Sequence, residues 1–160
     1  MAKVVTPLNE HNTCSNFYPS NDFWRMELKP IAASVAMVVG TALASQTTSN
    51  TTSGNYIKMP TANTNGQNFS GILVEPIVAT DSDYATAGKL KNVWVPTSPA
   101  AKAFFTADTT ITAASVWRMV QFGSGSITLT TTLWAWAIIR NIISSTLGEC
   151  SFDVPQVVQS

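Results

Sequence analysis

The stretch WRMELKP, residues 24–30, alternates apolar and charged side chains along its length. Successive side chains of a β-strand point to opposite faces, so a period of two is typical of a half-buried strand. The stretch therefore predicts that the chain enters a β-domain at about residue 26.

Further short runs of apolar or alternating residues follow, and polar turns rich in Ser, Thr, Asn and Gly separate them. The predicted strands cover residues 36–44, 56–59, 69–77, 90–95, 116–120, 126–132 and 150–154. Residues 100–105 fit either a helical turn or a strand. Residues 133–143 also fit both, and their β-like neighbours favour a strand. Many short strands rich in β-branched residues predict an all-β fold, a compact β-barrel or β-sandwich of short antiparallel strands.

The first 25 residues differ from the rest, since they contain Pro, Asn and aromatic side chains without any regular period. Disordered tails are poor in aromatic residues, so we expect an extended N-terminal arm that docks onto another surface. The predicted organisation is an arm at 1–25, a β-domain at 26–154 and a C-terminal tail at 155–160. The aromatic side chains expected to contact a capsid or another copy of the chain are Phe17, Tyr18, Phe23 and Trp24.

Charge and hydropathy exclude two classes of partner. Charged residues make up 11% of the chain and the formal net charge is +0, whereas a nucleic-acid binder needs a basic face. The apolar stretches 31–44 and 133–143 are shorter than the roughly 20 residues of a membrane span, and no signal-peptide pattern opens the sequence. We expect a protein made in the cytoplasm, with a weakly charged surface that is covered in an assembly.

The sequence offers little material for catalysis. It lacks the nucleophile-elbow, phosphate-loop and zinc-protease motifs, and His11 is its one histidine. Asp81 and Asp83 suit a turn better than a calcium loop. Cys14 and Cys150 allow either a disulfide or two thiols, and the absence of a secretion signal favours thiols. We therefore expect no enzyme activity, no catalytic residue, no cofactor and no metal.

The central block of the chain resembles the small capsid decoration proteins, also called head-stabilising or cement proteins, of tailed phages. It is similar to the compact β-tulip domain of the lambda type over about residues 26–132, with a weaker similarity at 148–152. The residues that carry the resemblance are Gly40-Thr41-Ala42-Leu43, Gly54-Asn55-Tyr56-Ile57-Lys58, Phe69-Ser70-Gly71-Ile72-Leu73-Val74-Glu75, Asp81-Ser82-Asp83-Tyr84-Ala85-Thr86 and Lys89-Leu90-Lys91-Asn92-Val93-Trp94-Val95-Pro96.

The resemblance implies a virion protein on the outer surface of an expanded capsid. Its partner would be the major capsid protein, and it would act as a homo-oligomer, with a trimer favoured. Three alternatives remain open from the sequence: another virion structural protein (a head-fibre base, tail-tube or minor coat subunit), a carbohydrate-binding β-module that uses exposed Trp faces, and an enzyme.

Overall fold

A computed structural model describes the chain at residues 17–45, 54–58, 68–107, 110–117, 119–122, 127–130 and 137–152. This part of the chain is almost entirely β-structure, which confirms the predicted fold class. The strands are β1 Phe17–Pro19, β2 Trp24–Ile31, β3 Ala42–Ser45, β4 Tyr56–Lys58, β5 Asn68–Leu73, β6 Lys89–Pro96, β7 Lys102–Thr106, β8 Met119–Phe122, β9 Ile127–Thr130, β10 Ala137–Ile142 and β11 Leu147–Ser151. A short 3-10 helix covers Ala113–Ser115.

Five strands form a closed barrel in the order β2-β4-β3-β5-β6. Its longest pairing joins β2 and β6, which are antiparallel over the whole length of both strands, from Trp24 opposite Pro96 to Ile31 opposite Lys89. The barrel closes through one parallel contact, Ile31 opposite Tyr56. Closure removes the unpaired strand edges that an open sheet of this size would expose. Apolar side chains fill the barrel, namely Ile31, Met37, Leu43, Leu73, Ile77 and Val93.

The other strands form a six-stranded sheet in the order β1-β7-β11-β10-β8-β9. A second apolar core joins this sheet to the outer wall of the barrel. The barrel supplies Ala42, Ala44 and Ile72 to that core, and the sheet supplies Phe17, Ala103, Phe105, Ala137, Ile139 and Cys150. The fold is therefore a barrel with a sheet packed on its outer wall, so that the two cores share the strands β3 and β5.

The structure settles the two segments for which the sequence left strand and helix open. Residues 102–106 form β7 and residues 137–142 form β10, so both are strands. In β10 the buried side chains Ala137 and Ile139 alternate with partly exposed ones, as a sheet with one packed face requires. The remainder of the ambiguous segment, residues 133–136, lies outside the described residues.

The fold begins earlier than the predicted arm allows. Phe17 is 1% exposed and packs in the second core, where its ring meets that of Phe152 edge to face at 5.5 Å. β1 pairs with β7, and Trp24 opens β2. Residues 17–25 thus belong to the folded unit, because burying these aromatic rings stabilises it. Of the predicted arm of residues 1–25, residues 17–25 are therefore not an arm. Residues 1–16 and the predicted tail at 155–160 lie outside the described residues.

Candidate protein-binding surface

The strands β2 and β6 present their two faces to different surroundings. Residues directly opposite each other in an antiparallel pair point to the same side. Glu27 lies opposite Val93 and Ile31 lies opposite Lys89, and the fully buried Val93 and Ile31 mark this as the inner side of the barrel. The alternate positions of both strands therefore form the outer side.

The outer side of the β2–β6 pair is apolar and exposed toward the end that carries Leu28 and Leu90. Met26 is 46% exposed, Leu28 is 58% exposed and Leu90 is 59% exposed. Leu28 lies opposite Asn92, and Leu90 lies opposite Pro30, so the exposed side chains are close neighbours across the two strands. We call Met26, Leu28 and Leu90 the apolar strip. A half-buried strand normally turns its apolar side inward, and here the alternation is reversed.

The opposite end of the same outer side is covered by the protein itself. Trp24 and Trp94 pack against the second core. The indole Nε1 of Trp24 donates a hydrogen bond to the Lys102 carbonyl oxygen at 2.9 Å, and its ring lies edge to face with Phe69 and Phe152. The Trp24 end of the β2–β6 pair is thus covered by the second core, whereas the apolar strip is exposed to solvent.

Charged side chains of β2 lie on the side of the strand opposite the apolar strip. Glu27 forms ion pairs with Arg25 and with Lys29, and the Lys29 ammonium lies 5.9 Å from the ring centroid of Tyr56. The hydrogen bonds from Lys29 and Arg25 lower the pKa of the Glu27 carboxyl, and the bond to Glu27 raises the pKa of Lys29. Both ion pairs lie within β2 and turn with it, so the contact between Lys29 and Tyr56 is the one that ties this side of β2 to the neighbouring strand β4.

A second set of polar contacts fixes the start of β6. Lys89 is 5% exposed, and its Nζ donates hydrogen bonds to the carbonyl oxygens of Ala32 at 3.1 Å and Tyr84 at 2.8 Å. Lys91 Nζ lies 3.2 Å from Asp83 Oδ2. Both contacts fasten the turn at residues 81–88 to the barrel beside Leu90. The predicted turn at 80–83 is confirmed, with the Val78 amide donating to Asp81 Oδ2 at 2.9 Å.

Another exposed aromatic group lies on the six-stranded sheet. Trp117 is 70% exposed, and the guanidinium carbon of Arg140 lies 4.5 Å from the centroid of its ring. Arg140 Nε donates a hydrogen bond to Ser151 Oγ at 2.7 Å. Trp117 takes a φ of 71°, in the left-handed region that bulky residues avoid.

The structure separates the four aromatic residues that the sequence nominated for docking. Phe17 is in the core, Trp24 is packed against it, and Tyr18 is half-buried, whereas Phe23 is 45% exposed. Phe17 has no surface to offer a partner in this fold, because its burial is complete. The apolar strip and Trp117 were missed. The alternation in residues 24–30 marked Met26 and Leu28 as one face of a strand, but it did not say which face is covered.

Metal-ligating side chains and long apolar helices are two further features to look for in the described residues. No group of three or more His, Cys, Asp or Glu side chains lies close enough together to hold a metal within them. Across the same ranges of the chain, no helix is long and apolar enough to cross a membrane. Cys150 is fully buried, and burial, together with the charge of Glu149, raises the pKa of its thiol well above the usual value. Cys14 lies outside the described residues.

Comparisons with known proteins returned no match to a family model, to a curated protein or to a solved structure. The resemblance to phage decoration proteins therefore remains an expectation drawn from the sequence.

Proposed function

We propose that the protein is a structural protein of a phage virion, which decorates and stabilises the expanded capsid. It binds the outer surface of the lattice formed by the major capsid protein and acts there as a homo-oligomer, with a trimer favoured. The observation that carries the proposal is the apolar strip. Met26, Leu28 and Leu90 face solvent from one side of β2 and β6, whereas Glu27, Lys29 and Lys91 on the other side make ion pairs within the protein.

A clustered set of exposed apolar side chains favours association. Full burial of one Leu or Met side chain contributes roughly 1.5–3 kcal/mol, and the strip is about half exposed, so docking gains about 1 kcal/mol per residue. One copy therefore gains only about 3 kcal/mol from the strip, which is less than the roughly 4–15 kcal/mol that association costs, so the strip alone does not hold a single copy. An oligomer that engages several capsid subunits multiplies the gain through avidity.

Stabilisation of the shell follows from mass action. DNA packed inside a capsid pushes outward on the lattice. A protein that binds the expanded lattice, but not the unexpanded or disrupted one, shifts the equilibrium toward the expanded state. This mechanism needs no reactive group. The charged side chains of the barrel that are described above serve internal contacts, as Glu27, Lys89 and Lys91 illustrate.

The direct experiment mixes the purified protein with undecorated, expanded shells of the major capsid protein from the same genome. Cosedimentation should saturate at a fixed number of copies per shell, and the temperature at which the shells disrupt should rise. Unexpanded shells are the matched control, and they should bind fewer copies. Protein that stays in the supernatant at every concentration would rule out the proposed function.

The expected contribution of the N-terminal arm needs a deletion that spares the fold. Removing residues 2–20 would also remove β1 and the buried Phe17, so a loss of binding could reflect unfolding. Removing residues 2–16 leaves β1 complete. We expect this shorter deletion to lower capsid occupancy while the unfolding midpoint stays close to that of the full chain. Unchanged occupancy would show that docking does not use these residues.

A further inference from the structure

Trp117 is held in an unfavourable backbone conformation with its side chain in solvent. It follows the 3-10 helix, has a φ of 71° and is 70% exposed. Its amide donates a hydrogen bond to the Ile139 carbonyl oxygen at 2.8 Å, which fixes the backbone against β10. Burial of the indole does not explain the strain, because most of the side chain is uncovered. Such strain persists where the surrounding structure enforces it, and it concentrates at binding and catalytic sites.

Arg140 holds the indole in place. Its guanidinium stacks on the Trp117 ring at 4.5 Å, and its Nε donates to Ser151 Oγ at 2.7 Å. Ser151 is 3% exposed and lies on β11, so the guanidinium is itself positioned from the sheet. A stacked, hydrogen-bonded arginine beneath an aromatic ring reduces the number of orientations that the ring can adopt.

We infer that Trp117 is the anchor of a second protein-docking point, and that Arg140 is its positioning residue. Aromatic residues that are already fixed in the free protein lose little entropy on binding, and Trp and Arg dominate the binding energy of protein interfaces. The inference rests on the proposed function, since the partner is the same capsid surface. It places this contact on the six-stranded sheet, whereas the apolar strip lies on the barrel.

The chemistry of the indole defines the receiving pocket. The pocket must be apolar and deep enough to cover a bicyclic ring. It must also offer a hydrogen-bond acceptor to Nε1, because a buried indole N–H needs a partner and none of the described residues accepts from it. A backbone carbonyl or a side-chain oxygen of the capsid protein would meet this requirement.

The test is Trp117→Gly, because glycine adopts a φ near +71° without steric conflict. The variant should keep its fold and unfold at an equal or higher denaturant concentration than the wild type. Its dissociation constant for undecorated, expanded shells should rise at least about tenfold. Trp117→Phe keeps an apolar ring but loses the N–H. Its dissociation constant should lie between those of the wild type and Trp117→Gly. Arg140→Lys keeps the charge without the planar stack, and it should weaken binding. The chain has five Trp, so the acrylamide quenching that belongs to Trp117 is obtained as the difference from Trp117→Gly, and Arg140→Lys should increase it.

Ile143→Ala is the matched control, since Ile143 is also on this sheet and is 45% exposed. It should bind shells like the wild type. A Trp117→Gly protein that binds as well as the wild type overturns this inference and leaves the proposed function standing. A wild type that does not bind shells overturns both. Loss of the folded state in Trp117→Gly would show that the residue is structural. Trp117-dependent binding of maltoheptaose or chitohexaose would replace the protein partner with a glycan.

Discussion

The ammonium group of Lys89 is bound to the turn that precedes it through Tyr84. Lys89 Nζ donates a hydrogen bond to the Tyr84 carbonyl oxygen at 2.8 Å and lies 5.6 Å from the centroid of the Tyr84 ring. The same ammonium donates to the carbonyl oxygen of Ala32, the residue that follows β2. One buried cation therefore joins the turn at 81–88, the end of β2 and the start of β6. The exposed side chain of Leu90 lies next to this junction.

We expect Lys89→Met to destabilise the fold by about 2 kcal/mol. Methionine has a similar length but donates no hydrogen bond, so it leaves carbonyl oxygens without a charged donor, and bonds to charged groups contribute roughly 1.5–3 kcal/mol. Urea unfolding followed by tryptophan fluorescence gives the change in midpoint. Lys58→Met is the control, because Lys58 is exposed, and its midpoint should move little. An unchanged midpoint for Lys89→Met would mean that the carbonyl contacts contribute nothing to stability.

Gly71 marks the tightest approach between two barrel strands. A Cβ atom at this position would lie 2.5 Å from Val93 Cγ1 and 2.7 Å from the Trp94 carbonyl oxygen. The carbonyl belongs to the backbone and cannot turn away, so we expect Gly71→Ala to cost roughly 1–3 kcal/mol, as overpacking does. Thermal unfolding measures the loss. At Gly54 an added Cβ meets nothing within 4 Å, so Gly54→Ala reports only the cost of its φ of 96°. Equal or smaller destabilisation at Gly71 would contradict the steric explanation.

The fold class could be predicted from local pattern because strand periodicity and turn residues act within a few positions. The strand at residues 24–30 was predicted one residue short of β2, and the segment at 90–95 lacked only the two ends of β6. The run at 36–44 was predicted as one strand, yet only its end forms β3, and Met37 makes an isolated bridge to Ile77. Gly40, at a φ of 82°, turns the chain between them. Closure of the barrel joins distant segments, which no local pattern reveals.

The candidate surface was harder to predict because alternation defines two faces without assigning them. Met26 and Leu28 are apolar, as the residues of a buried strand face usually are, but tertiary packing leaves them on the outside. The assignment depends on partners far along the chain, since Trp94 and Lys102 decide where Trp24 packs and hence which way β2 is turned. Phe17 was misplaced for the opposite reason. Its neighbours lack any period, yet a three-residue strand suffices to place its ring in the core.

We expect Cys150 to remain an unreactive thiol in the folded protein. The thiolate is the form of cysteine that attacks alkylating reagents, and burial, then the charge of Glu149, raises the pKa of Cys150 well above its usual value. In a Cys14→Ser background, iodoacetamide should leave the native protein unmodified and label one site after unfolding. Peptide mapping of the wild type without reductant gives a second measurement. A peptide pair linked through Cys14 and Cys150 would contradict the prediction and support the disulfide alternative.

The apolar strip provides the sharpest separation of binding from stability. Leu28 and Leu90 are 58% and 59% exposed, so the folded protein buries less than half of each side chain. We expect the double variant Leu28→Ser/Leu90→Ser to remain folded and to lose about 1–2 kcal/mol of stability, which is the contribution of the part of the two side chains that is already buried. Its occupancy on expanded shells should fall at least severalfold, because each copy loses apolar contact and avidity multiplies the loss across an oligomer.

Ile143→Ser is the control for this variant, since Ile143 is 45% exposed and follows β10 in the six-stranded sheet rather than in the barrel. It removes about as much exposed apolar surface as either single variant, Leu28→Ser or Leu90→Ser, so compared with those it corrects for changes in solubility and non-specific adsorption. If both variants lose occupancy equally, general hydrophobicity rather than the strip holds the protein on the shell. If neither does, the reversed alternation of β2 has a purely structural origin. A loss confined to the Leu28/Leu90 variant assigns docking to the outer side of β2 and β6, where both leucines are exposed.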